Sequence, residues 1–476
     1  MAAVEERLQP FSGGFFYKKS KGKAGGRMKV DFAKLKGKVI TKDDFAYEEE
    51  RQGWNRGVEK YPLAIVFCKN EDEIIEAMAF AAREKLPFRI RSGRHHYEGF
   101  SNGNDILVID ISLMNKIYIN EEERTVTIEG GVRNRELYEA VCGAGYPFPG
   151  GGCPTVGVVG FTLGGGWGYS SRFLGLGIDS LLQVELINYK GEKILSDKKV
   201  NSDLFWALRG CGGGNFGIVT AMKFKLPHKI NKATLINIDY PNLTIDEKVL
   251  IFKLWQKEFK SLDIRLNLKT AIYNSMHKGT GIKITGLFYG NEKETMEALK
   301  PFKDIGINSD FNLEYITVLE ANRKIQDSHP EYEKYKSSGR FVYDDYSEEE
   351  IIKMVDVISD IPKSAEYAAL SFYGLGGVIK EIPKENTSFY YRDAEAIMGF
   401  QVLWEEQKYA PENKKWMLEK FRLLKTMTKG SFINFPLKEL DSYEDEYYGP
   451  FKEKLRKIKE KYDPYNFFDF EQSIRL

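Results

Sequence analysis

The sequence predicts an α+β fold in two regions of unlike texture, and three observations carry that reading. Between residues 61 and 226 short β-rich runs alternate with helical ones. Two patches of that stretch are dense in glycine. Beyond residue 226 the glycine thins out and longer strands with alternating apolar positions begin. The chain has 476 residues. Single hydrophobic cores stop growing near ~250–300 residues, so two domains are expected.

The first region opens with an apolar strand at residues 64–67. Over residues 71–84 the side chains Ile74, Ile75, Met78, Ala79 and Ala82 recur at helical spacing. Residues 88–91 form a second strand closed by the turn Ser92-Gly93, and residues 107–110, 117–119 and 125–128 continue the β pattern. Residues 133–141 return to helix. This alternation is too irregular for a doubly wound sheet. In the second region residues 235–240 are a strand, and Thr244-Ile245-Asp246-Glu247 spells a capping box opening a helix. Residues 281–289 alternate as a strand, 292–299 are helical, and 399–404 are a strand. A helix at residues 451–461 precedes the turn Tyr462-Asp463-Pro464.

Between residues 150 and 168 nine of nineteen residues are glycine. Such density is expected to suppress helix and strand alike, because ordering glycine costs the most backbone entropy. A folded protein tolerates it where backbone approaches a ligand closely or takes positive φ. A second patch, Gly210-Cys211-Gly212-Gly213-Gly214-Asn215-Phe216-Gly217, repeats the theme. Phe161, Trp167, Tyr169 and Phe205 interleave with the glycines, which flexible linkers do not show. Two such patches point to an extended cofactor laid along bare backbone.

The formal net charge of +1 gives no field for drawing in nucleic acid or an anionic membrane, so a small, roughly neutral partner is favoured. No run approaches the ~18 apolar residues of a membrane-spanning helix. Residues 1–27 carry scattered lysine and glycine without an apolar stretch of signal-peptide length. They are expected to be a loose leader, with Met28 an alternative start and a cytoplasmic or cell-associated location. Cys68, Cys142, Cys153 and Cys211 are widely spaced with no Cys-x-x-Cys pair, which argues against a structural metal and, without a secretion signal, against disulfides.

Other catalytic templates fit poorly. The chain has no Gly-x-x-x-x-Gly-Lys-Ser/Thr phosphate loop and no His-Glu-x-x-His. Gly99-Phe100-Ser101-Asn102-Gly103 has the letters of a nucleophile elbow, but a polar turn follows it where a helix is needed. Gly212-Gly213-Gly214-Asn215-Phe216-Gly217 spells a dinucleotide fingerprint, yet β-like Ile218-Val219-Thr220 comes next.

What remains is a set of linked motifs. Arg91-Ser92-Gly93-Arg94-His95-His96-Tyr97-Glu98-Gly99 is a strand-to-turn corner whose amides can cradle phosphates. About sixty residues later stands Gly151-Gly152-Cys153-Pro154-Thr155-Val156-Gly157-Val158. Gly164-Gly165-Gly166-Trp167-Gly168, Asp203-Leu204-Phe205-Trp206-Ala207-Leu208-Arg209-Gly210 and Gly213-Gly214-Asn215-Phe216-Gly217-Ile218-Val219 follow. Tyr462-Asp463-Pro464-Tyr465-Asn466-Phe467-Phe468 and Glu471-Gln472-Ser473-Ile474 close the chain. Together these motifs resemble the berberine-bridge-enzyme-like family, which includes the gluco-oligosaccharide oxidases and carries a flavin domain of the vanillyl-alcohol-oxidase, or PCMH, type.

The resemblance implies a two-subdomain FAD-binding domain and an α+β substrate domain with an antiparallel sheet. It places the lead-in at residues 1–56, the flavin domain at 57–228, the substrate domain at 229–436 and a C-terminal return at 437–476. It implies FAD bound covalently twice, His95 to the 8α carbon and Cys153 to C6. Arg91, Ser92, Gly93, Arg94 and Thr155 would hold the cofactor, with Gly157, Gly160, Gly164, Gly217, Val219 and Asn466. Amides of the glycine-rich turn would stabilise the Cys153 thiolate. Tyr97 and Gln401 are the implied catalytic residues, although phenylalanines stand at 432 and 435 where relatives commonly have tyrosines. Val156 would set the approach of oxygen, since valine there goes with oxidases and leucine with dehydrogenases. The expected activity is oxidation of an alcohol, sugar or related small molecule with oxygen reduced to hydrogen peroxide. A dehydrogenase using another acceptor, or a flavin-fold coat protein, stays open.

Overall fold

The computed structural model describes residues 30–476, so the expected leader and the start at Met28 lie outside the described residues. The first sheet holds β1 (Lys38–Thr41), β2 (Ala64–Phe67), β3 (Phe88–Arg91) and β4 (Leu107–Asp110) in the order β1-β2-β4-β3. β2, β4 and β3 run parallel, and β1 adds antiparallel to the edge. β2 and β4 are buried along their whole length, which is why both read as unbroken apolar runs. The crossover helix Glu71–Arg83 starts where the Asn70 side chain accepts from the Glu73 amide, and its Ile74, Ala77, Met78 and Ala81 enter the core.

The second sheet holds β5 (Ile117–Asn120), β6 (Thr125–Glu129), β7 (Leu181–Ile187), β8 (Lys193–Asp197) and β9 (Ile218–Lys225), antiparallel in the order β5-β6-β9-β7-β8. The glycine-rich stretch lies between β6 and β7. The expectation that glycine excludes regular structure there fails at the helix Val158–Leu163. Its six residues contain a single glycine, and Val158, Val159 and Leu163 turn into the core, so burial outweighs the entropy cost.

The third sheet is antiparallel and eight-stranded, in the order β13-β10-β12-β11-β15-β16-β14-β17. Its strands are β10 (Lys232–Pro241), β11 (Leu266–Ser275), β12 (Gly279–Phe288), β13 (Asp310–Thr317), β14 (Tyr335–Val342), β15 (Tyr367–Gly374), β16 (Ala396–Leu403) and β17 (Lys429–Ser431). The capping box at Thr244 forms and opens the helix Ile245–Phe259. That helix and Ala410–Thr426 cover one face, where Phe372 meets Phe252 at 4.7 Å between rings and Phe400 meets Trp416 at 5.3 Å. Strand side chains alternate, so Tyr335, Tyr373, Gly399 and Gln401 belong to the opposite face. That face meets the flavin-region motifs: Tyr373 packs on Trp167 at 4.8 Å and Tyr335 on Tyr97 at 5.1 Å. Among the described residues no helix is long and apolar enough to cross a membrane.

The chain then returns to the second glycine patch. Lys459 and Asp463, both fully buried, pair at 2.6 Å at the end of the helix Lys452–Tyr462. Lys459 Nζ also donates to the carbonyls of Asn215 (2.6 Å) and Phe468 (3.0 Å), while Asp463 accepts from the amides of Phe467 and Phe468. The Ile474 amide donates to Asn215 Oδ1 at 2.9 Å. The C-terminal motif thus clamps the glycine patch in place. Asp463→Ala leaves a buried ammonium without its counter-charge and is expected to cost about 3–5 kcal/mol. Urea unfolding measures this, and a loss below about 1 kcal/mol, the range of an exposed pair, contradicts the clamp.

Candidate functional site

The corner after β3 is held from behind. Arg91 is buried against Asp110 at 2.6 Å and donates to the Glu50 carbonyl. Ser92 Oγ donates to the Gly130 carbonyl at 2.9 Å, and Arg94, at φ +64°, pairs with Glu50. Gly93 is pressed against the other motif: a Cβ there would lie 2.1 Å from the Gly157 nitrogen. No ordinary side chain fits this approach. The join is completed by a 2.7 Å hydrogen bond between His95 Nε2 and Thr155 Oγ1. His95 is thereby joined at this seam to the segment that carries Cys153, two residues before Thr155, although neither Cys153 nor Thr155 lines the cavity beside it.

A cavity of about 300 Å³ runs from this seam along bare backbone. Its walls come from residues 92–97, 156–161, 212–215, 433–436 and 468–470. Ser92, Gly93, Arg94, His95 and Tyr97 line it, as do Val156, Gly157, Gly160, Gly217 and Val219. A Cβ on Gly160 would meet nothing within 4 Å, and Gly212 and Gly214 take φ of +82° and +79°. Buried guanidinium Nε atoms of Arg89 and Arg94, both on the cavity wall, make no hydrogen bond, although the two groups are ion-paired, Arg89 with Glu471 and Arg94 with Glu50 and Asp110. Apolar walls, bare amides and spare cationic donors fit a long, flat, phosphate-bearing cofactor.

Several expected residues sit elsewhere. Arg91 supports the corner through Asp110 and does not line the cavity, because its charge is spent on that buried pair. Gly164 makes room for Asn434, whose Oδ1 would lie 2.0 Å from a Cβ, and Asn434 lines the cavity in its stead. Asn466 takes the left-handed φ of +50° in the C-terminal turn, where its amide donates to the Asp463 carbonyl. Gln401 is half-buried on β16 between Ser337 and Ala369, on the face shared with Tyr335 and Tyr373. Sequence reasoning missed Trp54, whose ring stacks on His95 at 5.1 Å and 25°. It also left unassigned Phe468, Phe470 and Gln472, although the C-terminal motif contains or borders them.

Burial dominates the electrostatics. It lowers the His95 pKa to about 3, with Arg133 and His329 adding to the effect, so the imidazole is neutral. Cys68, Cys142 and Cys211 are free and buried, whereas Cys153 is free and half-buried. Its thiol is pushed up to about 11 by burial. The expected amide stabilisation, from Thr155 and Val156, is present but is outweighed. The Tyr97 ring lies flat on Phe435 (5.3 Å, 6°), and burial raises its phenol well above the ordinary value. Gly339 and Gly399 face each other across β14 and β16, and their missing side chains admit Phe435 and Tyr373.

Gly93→Ala is expected to yield protein with little flavin, read as the ratio of visible to protein absorbance. Gly143→Ala, whose Cβ would meet nothing within 4 Å, keeps the full ratio. Equal ratios in the two variants contradict the Gly93–Gly157 join.

Residues 62–195 match the FAD binding domain family, and residues 431–475 match the family described as berberine and berberine like. The chain is 34% identical over 450 residues to the FAD-linked oxidoreductase YgaK of Bacillus subtilis (strain 168), covering 94% of this chain and 98% of that one. It is 27% identical over 455 residues to reticuline oxidase of Eschscholzia californica, covering 87% and 83%. A chitooligosaccharide oxidase shares the fold with a TM-score of 0.84 at 21% identity, over 93% of this chain and 98% of that one. So does the Acremonium strictum glucooligosaccharide oxidase, described with a 6-S-cysteinyl, 8α-N1-histidyl FAD (TM-score 0.84, 21% identity, 92% and 97% coverage). With its cavity, its motifs and these relatives taken together, the chain belongs to the berberine-bridge-like family of FAD-linked oxidoreductases.

Proposed function

We propose that His95 and Cys153 both bond FAD covalently, and that the protein oxidises a small-molecule alcohol with oxygen as final acceptor. The single observation that carries this reading is the 2.7 Å His95–Thr155 hydrogen bond, which brings a neutral imidazole to within two residues of a half-buried free thiol. The doubly linked FAD of the Acremonium relative supports it. Bound flavin supplies the two-electron acceptor that no side chain provides. The protein's own part is positioning. Trp54 and Thr155 hold the His95 ring from its face and its edge. The amides of Thr155 and Val156 are aimed at the Cys153 sulfur and favour its thiolate once the proton leaves. Phe435 lines the cavity, and behind it Tyr373 and Trp167 pack ring on ring, an aromatic surface that suits a sugar face or an aromatic ring. Those are the kinds of molecule in the relatives' names, oligosaccharides and reticuline.

Acid precipitation tests the tether. Wild type, His95→Ala and Cys153→Ala are expected to precipitate yellow, and the double variant to release its flavin into the supernatant. Complete release from wild type contradicts the double bond.

Val156 lines the cavity, and packed interiors leave few voids beyond the size of a diatomic gas. Val156→Leu is therefore expected to slow air reoxidation of dithionite-reduced protein while reduction by substrate is nearly unchanged. Equal reoxidation rates discard the gate, and slow reoxidation of wild type makes the protein a dehydrogenase.

A further inference from the structure

Alcohol oxidation needs an acceptor for the hydroxyl proton, and the residues so far considered do not supply one. Gln401 carries an amide, which takes no proton near neutrality. Positions 432 and 435 are phenylalanine. The phenols of Tyr97 and Tyr335 are buried and held protonated, so they act as donors.

Among the described residues one unpaired carboxylate stands beside those phenols, just outside the side chains that line the cavity. Glu333 lies two residues before β14, and its main chain is pinned on both sides. Its amide donates to the Trp54 carbonyl at 3.2 Å, and its carbonyl accepts from the Arg56 amide at 2.7 Å. Trp54 is the residue stacked on His95, so Glu333 is anchored to the tether itself. Its side chain is half-buried, yet among the described residues its carboxylate has neither a hydrogen bond nor an ion pair. Its charge acts on Tyr97, Tyr335 and Cys153, and on Tyr367 and Tyr373 from β15. Among the described residues the one cation felt by it is Lys269 from β11, whose ammonium lies over the Tyr373 ring at 4.9 Å without pairing with it. An unpaired, partly desolvated carboxylate costs stability, and it persists where it has work to do.

We infer that Glu333 is the general base of the reaction, accepting the proton of the substrate hydroxyl; this rests on the proposed alcohol oxidation. The substrate O–H bond breaks and its proton passes to a Glu333 oxygen. The carbon hydrogen leaves with its bonding pair to FAD, and the C–O bond becomes C=O. Molecular oxygen then takes that electron pair and two protons, one from Glu333 and one that arrived with the pair, to give hydrogen peroxide. Glu333 is left ionised for the next turnover. Burial raises its carboxyl to about 7, with Lys269 pulling the other way, so the basic form gains as pH rises through that value.

Two measurements on the purified holoprotein test this. The first needs no substrate: flavin absorbance is followed between pH 5 and 9. Wild type is expected to show a one-proton spectral transition near neutrality, and Glu333→Gln to lack it. A wild type without the transition, or a variant that keeps it, overturns the assignment. The second mixes the protein anaerobically with cellobiose, chitobiose and coniferyl alcohol and follows whichever bleaches the flavin. Glu333→Gln is expected to slow bleaching at least ~100-fold and to flatten its pH profile, with Glu333→Asp in between. Its flavin content is expected to match wild type. Bleaching of Glu333→Gln at the wild-type rate also overturns the assignment. If none of the three bleaches the flavin, the absorbance titration decides alone. Flavin lost on acid precipitation, with the titration intact, rejects the tether and leaves Glu333 standing.

Discussion

The approach of Gly93 to Gly157 is the contact on which the site depends. Two main chains meet where a Cβ on the first would lie 2.1 Å from the second, and one on the second 2.8 Å from Ser92 Oγ. Only bare backbone packs this closely, and packing this closely is what sets His95 against Thr155. The sixty-residue loop between the two motifs is closed by sheet, not by a cross-link: β4 pairs with β3 ahead of the turn, and β6 leads directly into Gly130, whose carbonyl receives Ser92. The chemistry therefore rests on glycine at two positions, and both tether side chains are consequences of it.

The rest of the chain holds this seam from three directions. Behind it, the Arg91–Asp110 pair is buried to within 2% exposure, so the corner cannot swing without stranding a charge. Below it, Lys459 and Asp463 bind the second glycine patch to the C-terminal turn, joining motifs some 250 residues apart in the chain. In front, the eight-stranded sheet presents a face on which Gly339 and Gly399 are bare and aromatic rings lie flat. Trp54 then joins front to back, stacking on His95 while its main chain pairs with Glu333.

Much of this was legible in the sequence, for identifiable reasons. Strands β2 and β4 read correctly because a doubly covered parallel strand must be apolar throughout. The Thr244 capping box is a local device and needs no tertiary context. Glycine density marked the cavity because close backbone approach leaves no other residue type acceptable. What escaped were features that distant partners decide. Arg91 looks like a phosphate ligand until Asp110, nineteen residues on, is seen to hold it. The face of Gln401 follows from its register against Ser337 and Ala369, and a shift of one residue would have reversed it. Glu333 sits in the polar run Glu331-Tyr332-Glu333-Lys334, where nothing separates it from its neighbours. The helix Val158–Leu163 forms against local expectation because the core accepts its apolar residues.

The central claim is that one cofactor is joined to both sides of the Gly93–Gly157 seam. Tryptic digestion of denatured holoprotein, with mass spectrometry of the flavin-absorbing fraction, tests it most directly. The expected species is one flavin cross-linking two peptides, one containing His95 and the other Cys153. Flavin attached to a single peptide, or recovered only as free FAD, would contradict the account.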